Sequence, residues 1–181
     1  EDSSEKRKEE VQDPPQVELG PLVDLYTKGK LEEAMAAVKR MLAKYPRSTA
    51  VYNIKGAVEI ALKDYERAIK SYQKALEINK GHPDLYYNLG NAQKFKGDVG
   101  NAIDSYEKVV KLNPKHFNAY LNMGIQLRKK GELDRALKSY EKAIEIKPDF
   151  PEAYNNLGTL FKQKGELDRA LKSYEKAIEI K

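Results

Sequence analysis

The chain reads as an all-α solenoid of stacked helix pairs, and three features of the sequence predict it. The first is a 34-residue period. With Thr49, Pro83, Phe117 and Pro151 as first residues of successive units, the fourth place holds Tyr52, Tyr86, Tyr120 and Tyr154, and the eighth Gly56, Gly90, Gly124 and Gly158. The twentieth place holds Ala68, Ala102, Ala136 and Ala170, and the twenty-fourth Tyr72, Tyr106, Tyr140 and Tyr174. A period of this size marks supersecondary units that cannot bury an apolar face alone and therefore stack. The second feature is helical spacing within a unit. Tyr120, Met123, Gly124 and Leu127 line one helix, and Leu133, Ala136, Leu137, Tyr140, Ala143 and Ile144 line another. The third is punctuation. Gly131 stands between these helices, where a helix C-terminus favours positive φ, and Pro148 cannot continue the second.

Taken in order, residues 1–14 form a charged segment, expected to be a disordered tail. Residues 15–48 read as a degenerate capping unit: Leu25, Gly29, Ala34, Met41 and Pro46 are in phase. Gly20 and Pro21 predict that its first helix has only about two turns. Full units follow at 49–82, 83–116 and 117–150, and a last one at 151–181 has no solvating helix after it. Pro83 and Pro151 suit the first turn of a helix, while Pro46, Pro114 and Pro148 close units. Gly29, Gly97 and Gly165 repeat the position of Gly131, but the unit from Thr49 has Lys63 there, so its turn must differ or be strained. Gly124 and Ala136 lack bulk and let two helices approach, and the repeated tyrosines should fill the wedge between pairs. At the far end Leu157, Leu160, Phe161, Leu171, Tyr174 and Ile178 are expected to leave apolar surface, read as a piece of a longer protein in preference to a face for another molecule. Gly131–Lys147 and Gly165–Lys181 are identical, which points to recent duplication or to engineering and makes neighbouring interfaces nearly interchangeable.

Composition narrows the function. There is no Cys among 181 residues, hence no disulfide framework and no thiolate metal site. No apolar run is long enough to span a bilayer and no secretory signal is present, so a cytoplasmic location is expected. Net charge is +5, with six acidic against three basic side chains in residues 1–13 and +8 on the remainder. That balance raises nucleic acid as a partner, but Glu132, Asp134, Arg135, Lys138, Glu141 and Lys142 alternate in sign as on a solvated helix face. No one-sign stripe is present, and nucleic acid is disfavoured. His82 and His116 fall in equivalent turns between units, about 10 Å apart by helix-packing distances, too far to share a metal, and read as exposed loop histidines. No catalytic constellation, phosphate loop or metal-ligand spacing accompanies them. Neither an enzyme nor a cofactor is expected.

Tyr86 to Gly90 and Tyr154 to Gly158 each spell Tyr-x2-Leu-Gly, followed by Ala-x3-Tyr-x2-Ala and a closing Pro. This pattern resembles the tetratricopeptide repeat (TPR) over residues 49–181, with departures at Lys55, Gln93 and Val109. The resemblance implies a right-handed superhelix of antiparallel helix pairs whose first helices line an inner groove, in a family made mostly of scaffolds for peptides and proteins.

The sixth place carries Asn88, Asn122 and Asn156, opposite the packed stripe. A carboxamide both donates and accepts, matching the N–H and C=O of an extended peptide. Stacked one unit apart, the three predict a ladder, broken at Ile54. It is similar to the asparagine ladder of O-linked N-acetylglucosamine transferases, where equivalent residues hold substrate backbone. The twelfth place adds Lys94, Arg128 and Lys162, a basic column that favours an acidic segment but also suits the helix dipole. Tyr87, Asn91, Asn118 and Asn155 could add contacts, Tyr87 as an anchor. A clamp for a chaperone C-terminus is disfavoured, because Asn118 or Glu152 stands where a cation is needed. The function expected is therefore a scaffold that binds an extended, acidic peptide segment. The alternative is a self-associating or engineered repeat array, joined through the uncapped last unit.

Overall fold

The repeat predicts paired helices, and paired helices are what the chain forms. The computed structural model describes residues 13–180, among which there are ten α-helices and no strand. Of the expected tail, residues 1–14, residues 1–12 lie outside the described residues. The helices are α1 (Gln16–Thr27), α2 (Leu31–Lys44), α3 (Thr49–Ala61), α4 (Tyr65–Ile78), α5 (Pro83–Lys96), α6 (Val99–Leu112), α7 (Phe117–Lys130), α8 (Leu133–Ile146), α9 (Pro151–Gln163) and α10 (Leu167–Glu179). The described residues fall into two compact units, one up to Leu85 and one from Tyr86.

In the first unit α1, α2 and α3 enclose Leu19, Leu22, Ala34, Val38, Val51 and Val58, and α3 packs along α4. α1 is longer than expected: it runs twelve residues through Pro21. Proline removes one i→i−4 bond, and here the carbonyl released belongs to Val17, a residue that is 80% exposed. Asp13, assigned to the tail from sequence, accepts hydrogen bonds from Ser48 Oγ at 2.6 Å and the Ala50 amide at 3.0 Å. Ser48 in turn accepts from the Val51 amide and caps α3. Lys55 and its neighbour Glu59 also acquire a reason: Glu59, 2% exposed, accepts from Ser71 Oγ at 2.6 Å and faces the Lys55 ammonium at 3.5 Å.

In the second unit one core runs from Ala102 and Tyr106 through Leu127 and Tyr140 to Leu160 and Phe161. α6 packs on α7, α7 on α8, α8 on α9 and α9 on α10. The tight contact within each pair is a tyrosine ring laid over a glycine. A Cβ on Gly124 would stand 2.5 Å from Cε1 of Tyr140, and one on Gly158 2.7 Å from Cε1 of Tyr174. Gly90 meets Tyr106, and in the first unit Gly56 meets Tyr72, in the same way. Gln93, which departs from the family pattern, accepts from Ser105 Oγ at 2.6 Å. Where the equivalent first-helix residue is Leu127 or Phe161, Ser139 and Ser173 turn back to the carbonyls of Arg135 and Arg169. His82 and His116, both expected as exposed loop residues, are half-buried, and His116 Nδ1 accepts from the Ala119 amide to cap α7.

The last helix leaves less surface than expected. Leu160 and Phe161 are buried because they pack inside the α9–α10 pair. Leu167, Leu171 and Ile178 of α10 are exposed at 65%, 58% and 75%.

Lys63 makes the same turn as the glycines, at φ +61. Its amide donates to Ile60 O and that of Asp64 to Glu59 O, as the amides of Gly131 and Glu132 do to Arg128 O and Leu127 O. A left-handed non-glycine residue costs about 1–2 kcal/mol. Lys63→Gly should therefore raise stability by about 0.5–1 kcal/mol, part of the relief being lost to unfolded-chain entropy, as read by urea unfolding. Gly124→Ala should instead lower it by about 1–3 kcal/mol, since a buried ring must move; an unchanged midpoint would contradict the ring-on-glycine contact.

Candidate functional site

Helical spacing sets out one face of α7. Asn118, Asn122, Ile125 and Lys129 follow at steps of four, three and four, and Arg128 lies at the edge of that face. Asn88 and Asn156 occupy the place of Asn122 on α5 and α9. All ten residues named from sequence lie on these three first helices, but they do not stand as an open row.

Four of them join in one internal cluster. Asn122 Nδ2 donates to the Tyr87 hydroxyl at 3.0 Å, and Lys94 Nζ donates to Asn122 Oδ1 at 3.4 Å. Tyr106 donates its hydroxyl proton to Asn91 Oδ1 at 2.8 Å. The Tyr87 ring lies 4.7 Å from the His116 ring and 5.9 Å from that of Tyr106. Burial pushes the Tyr87 hydroxyl above its ordinary pKa, opposed by the amides of Asn91 and Asn122. Burial also lowers the Lys94 ammonium, and the charge of Lys129 adds to the effect. Tyr87 is thus a packed residue whose hydroxyl also accepts from Asn122. Asn156 Nδ2 donates to Glu152 O within its own helix at 2.7 Å. Asn118 is half-buried, while Asn155 and Lys162 are exposed.

Arg128 has a different neighbourhood. Its guanidinium lies near Tyr140, whose hydroxyl is pushed up by burial and partly held back by Arg128. Arg128 Nε is buried and makes no hydrogen bond among the described residues, and the buried Tyr140 hydroxyl meets no polar side chain there except the edge of the Arg128 guanidinium. The cause is local. In the pair α5–α6 the tyrosine hydroxyl meets Asn91, and in α9–α10 Tyr174 donates to Thr159 Oγ1 at 3.2 Å. The equivalent position on α7 is Ile125, which offers no polar atom. An unmet buried polar group costs about 1–3 kcal/mol. This feature was missed from sequence, although reading the ninth place of each unit (Asn91, Ile125, Thr159) would have signalled it.

Among the described residues no group of three or more His, Asp or Glu side chains could hold a metal, and no helix is long and apolar enough to cross a membrane.

A sequence model of the TPR repeat matches residues 56–97 and 126–165, and models of the tetratricopeptide repeat match 83–116, 151–181 and 105–138. The chain belongs to the tetratricopeptide-repeat family. Human superkiller complex protein 3 is 31% identical over 71 residues, which are 39% of this chain and 4% of that protein. A probable biofilm formation methyltransferase, WspC of Pseudomonas putida, is 30% identical over 81 residues, 45% of this chain and 19% of the relative. The matched regions thus span a small part of both curated relatives. Among solved structures, a crystal structure of MamA is 31% identical with a TM-score of 0.82, covering 87% of this chain and 92% of that one. YrrB, described as a TPR protein with an unusual peptide-binding site, is 26% identical with a TM-score of 0.78, covering 97% and 88%. The TPR fold supports a protein-interaction role in general.

Tyr87→Phe removes the acceptor of Asn122 Nδ2. It should cost about 1 kcal/mol of stability and shift the Asn122 side-chain amide resonances, and unmoved resonances would show that the bond is absent in solution.

Proposed function

We propose that the first-helix face of α5, α7 and α9 receives an extended segment of another protein and that the chain acts as a scaffold without catalysis. The observation that carries this reading is the recurrence of Asn88, Asn122 and Asn156 at one helical position on three successive first helices. Each carboxamide can pair with both groups of a peptide unit, and one unit of spacing suits a chain laid across several helices. Asn122 is held by Tyr87 and by a long contact to Lys94, so a ligand takes the place of the weaker of these. Lys94, Arg128 and Lys162, with Lys129, favour an acidic segment. YrrB, named for its peptide-binding site, lends support from a similar fold. The absence of Cys fits a reducing, cytoplasmic setting.

A second reading has its own observation. Leu167, Leu171 and Ile178 form an exposed apolar stripe on α10, whereas the same residues on α8, Leu133, Leu137 and Ile144, are half-buried. This favours association through the last unit.

The groove reading is tested with a library of extended peptides. The triple variant Asn88→Ala, Asn122→Ala and Asn156→Ala should bind selected peptides at least about tenfold more weakly, since each lost bond contributes roughly 0.5–1.5 kcal/mol, with its thermal transition retained. Unchanged affinity would remove the ladder from the account.

A further inference from the structure

The segments Gly131–Lys147 and Gly165–Lys181 are identical, so whatever Arg135 on α8 and Arg169 on α10 do differently comes from their surroundings. In the pair α9–α10 the first helix sets Phe161 beneath the arginine, and the Arg169 guanidinium lies 3.9 Å from the ring centre, a cation–π contact. In the pair α7–α8 the same place holds Leu127, which has no ring. Both arginines pair with the glutamate three residues before them, but Arg135 also turns to Glu107 of α6 at 2.7 Å. A cavity of about 370 Å³ opens between α7 and α8 at this place, a size at the low end of the roughly 300–1,000 Å³ of ligand pockets. Tyr120, Met123 and Leu127 of α7 line it together with Arg135, Lys138 and Lys142 of α8. By the 3.6-residue period these three α7 residues lie on the side of the helix turned away from Asn122. The cavity is therefore separate from the asparagine face.

We propose that this cavity receives an aromatic side chain of a partner protein, a phenylalanine or tyrosine ring carried next to an acidic residue. The chain itself supplies the template: the guest ring takes the place relative to Arg135 that Phe161 takes relative to Arg169. Arg135 lines the cavity as it stands, and Arg169 lies over its ring while keeping Glu166 at 2.5 Å. The exposed pair with Glu107 is a weak competitor for the guanidinium. Buried Leu127 and Met123 give the ring an apolar seat, and a thioether makes favourable contacts with aromatic rings. Lys142 is held by Glu145 at 2.7 Å, so the acidic neighbour of the ring answers chiefly to Lys138, which lines the same cavity and is exposed. The proposal is independent of the groove reading, since it uses another side of α7.

The probe is the capped peptide acetyl-Gly-Phe-Glu-Gly-amide, titrated while the Met123 methyl and Tyr120 ring resonances are followed. Both should shift and saturate at one affinity. Leu127→Phe gives the pair α7–α8 the ring that α9 already carries, and it should weaken the peptide by about fivefold or more. Arg135→Gln, at an exposed position, removes the cation instead and should weaken it by about threefold, which keeps the test open if Leu127→Phe disturbs the fold. The counterpart peptide with Leu in place of Phe should bind more weakly to the native chain. The counterpart with Gln in place of Glu should also bind more weakly, and Lys138→Glu should abolish that difference. The proposal is overturned by the absence of a saturable shift, by equal binding of the Phe and Leu peptides, or by unchanged affinity in Arg135→Gln. A preference for Glu over Gln that survives in Lys138→Glu overturns the acidic neighbour. Shifts caused by free 3-phenylpropionate while every peptide fails overturn a protein segment as the guest and leave a small aromatic acid in its place.

Discussion

Four of the five helix pairs depend on a tyrosine ring set against a glycine. Because Gly56, Gly90, Gly124 and Gly158 have no side chain, the rings of Tyr72, Tyr106, Tyr140 and Tyr174 occupy the space a Cβ would need. The ring therefore fixes how closely two helices approach and how they are turned about their axes. Alanine at the twentieth place, with Ala102 and Ala136 fully buried, completes the close contact. Once the pair is set, the direction of every other side chain on the first helix follows from the 3.6-residue period. The asparagines share a face because the glycines do.

A tyrosine used in this way brings a hydroxyl into the core, and the chain meets that obligation differently from pair to pair. Asn91 and Thr159 accept it, Ile125 does not. The serine column shows the same variation: Ser71 and Ser105 donate across to Glu59 and Gln93, whereas Ser139 and Ser173 bond within their own helices. The identical segments around α8 and α10 likewise meet different neighbours. Arg135 reaches Glu107 at 2.7 Å, whereas the Arg169 guanidinium lies 3.9 Å from the centre of the Phe161 ring. The repeat fixes the frame, and substitutions on the first helices decide what each frame presents.

The frame was legible in the sequence because it rests on small and aromatic residues at a fixed period. Helix pairs, their order and the positive-φ turns all follow from those columns. What stayed hidden depends on relations across the period. Pro21 was read as a helix limit, but it lies inside α1, where the residue whose carbonyl it releases is exposed. Asp13 looked like tail, yet it accepts from Ser48 and Ala50, thirty-five and thirty-seven residues away. Asn122, Tyr87 and Lys94 were each named from sequence as candidate contact residues, but their bonds to one another link different helices and no single helix pattern displays them. That Ile125 offers the Tyr140 hydroxyl no acceptor, where Asn91 and Thr159 serve the equivalent tyrosines, required comparison of one place across three units.

The central claim is that the asparagine-bearing face of the first helices is the face that meets a partner. The most direct test follows the side-chain amide resonances of all asparagines while a selected extended peptide is added. Asn88, Asn122 and Asn156 should move together and saturate at one affinity, while Asn101 on α6 and Asn113 after it stay in place. Shifts confined to Asn101, Asn113 or the second helices would contradict the account and place recognition on another surface.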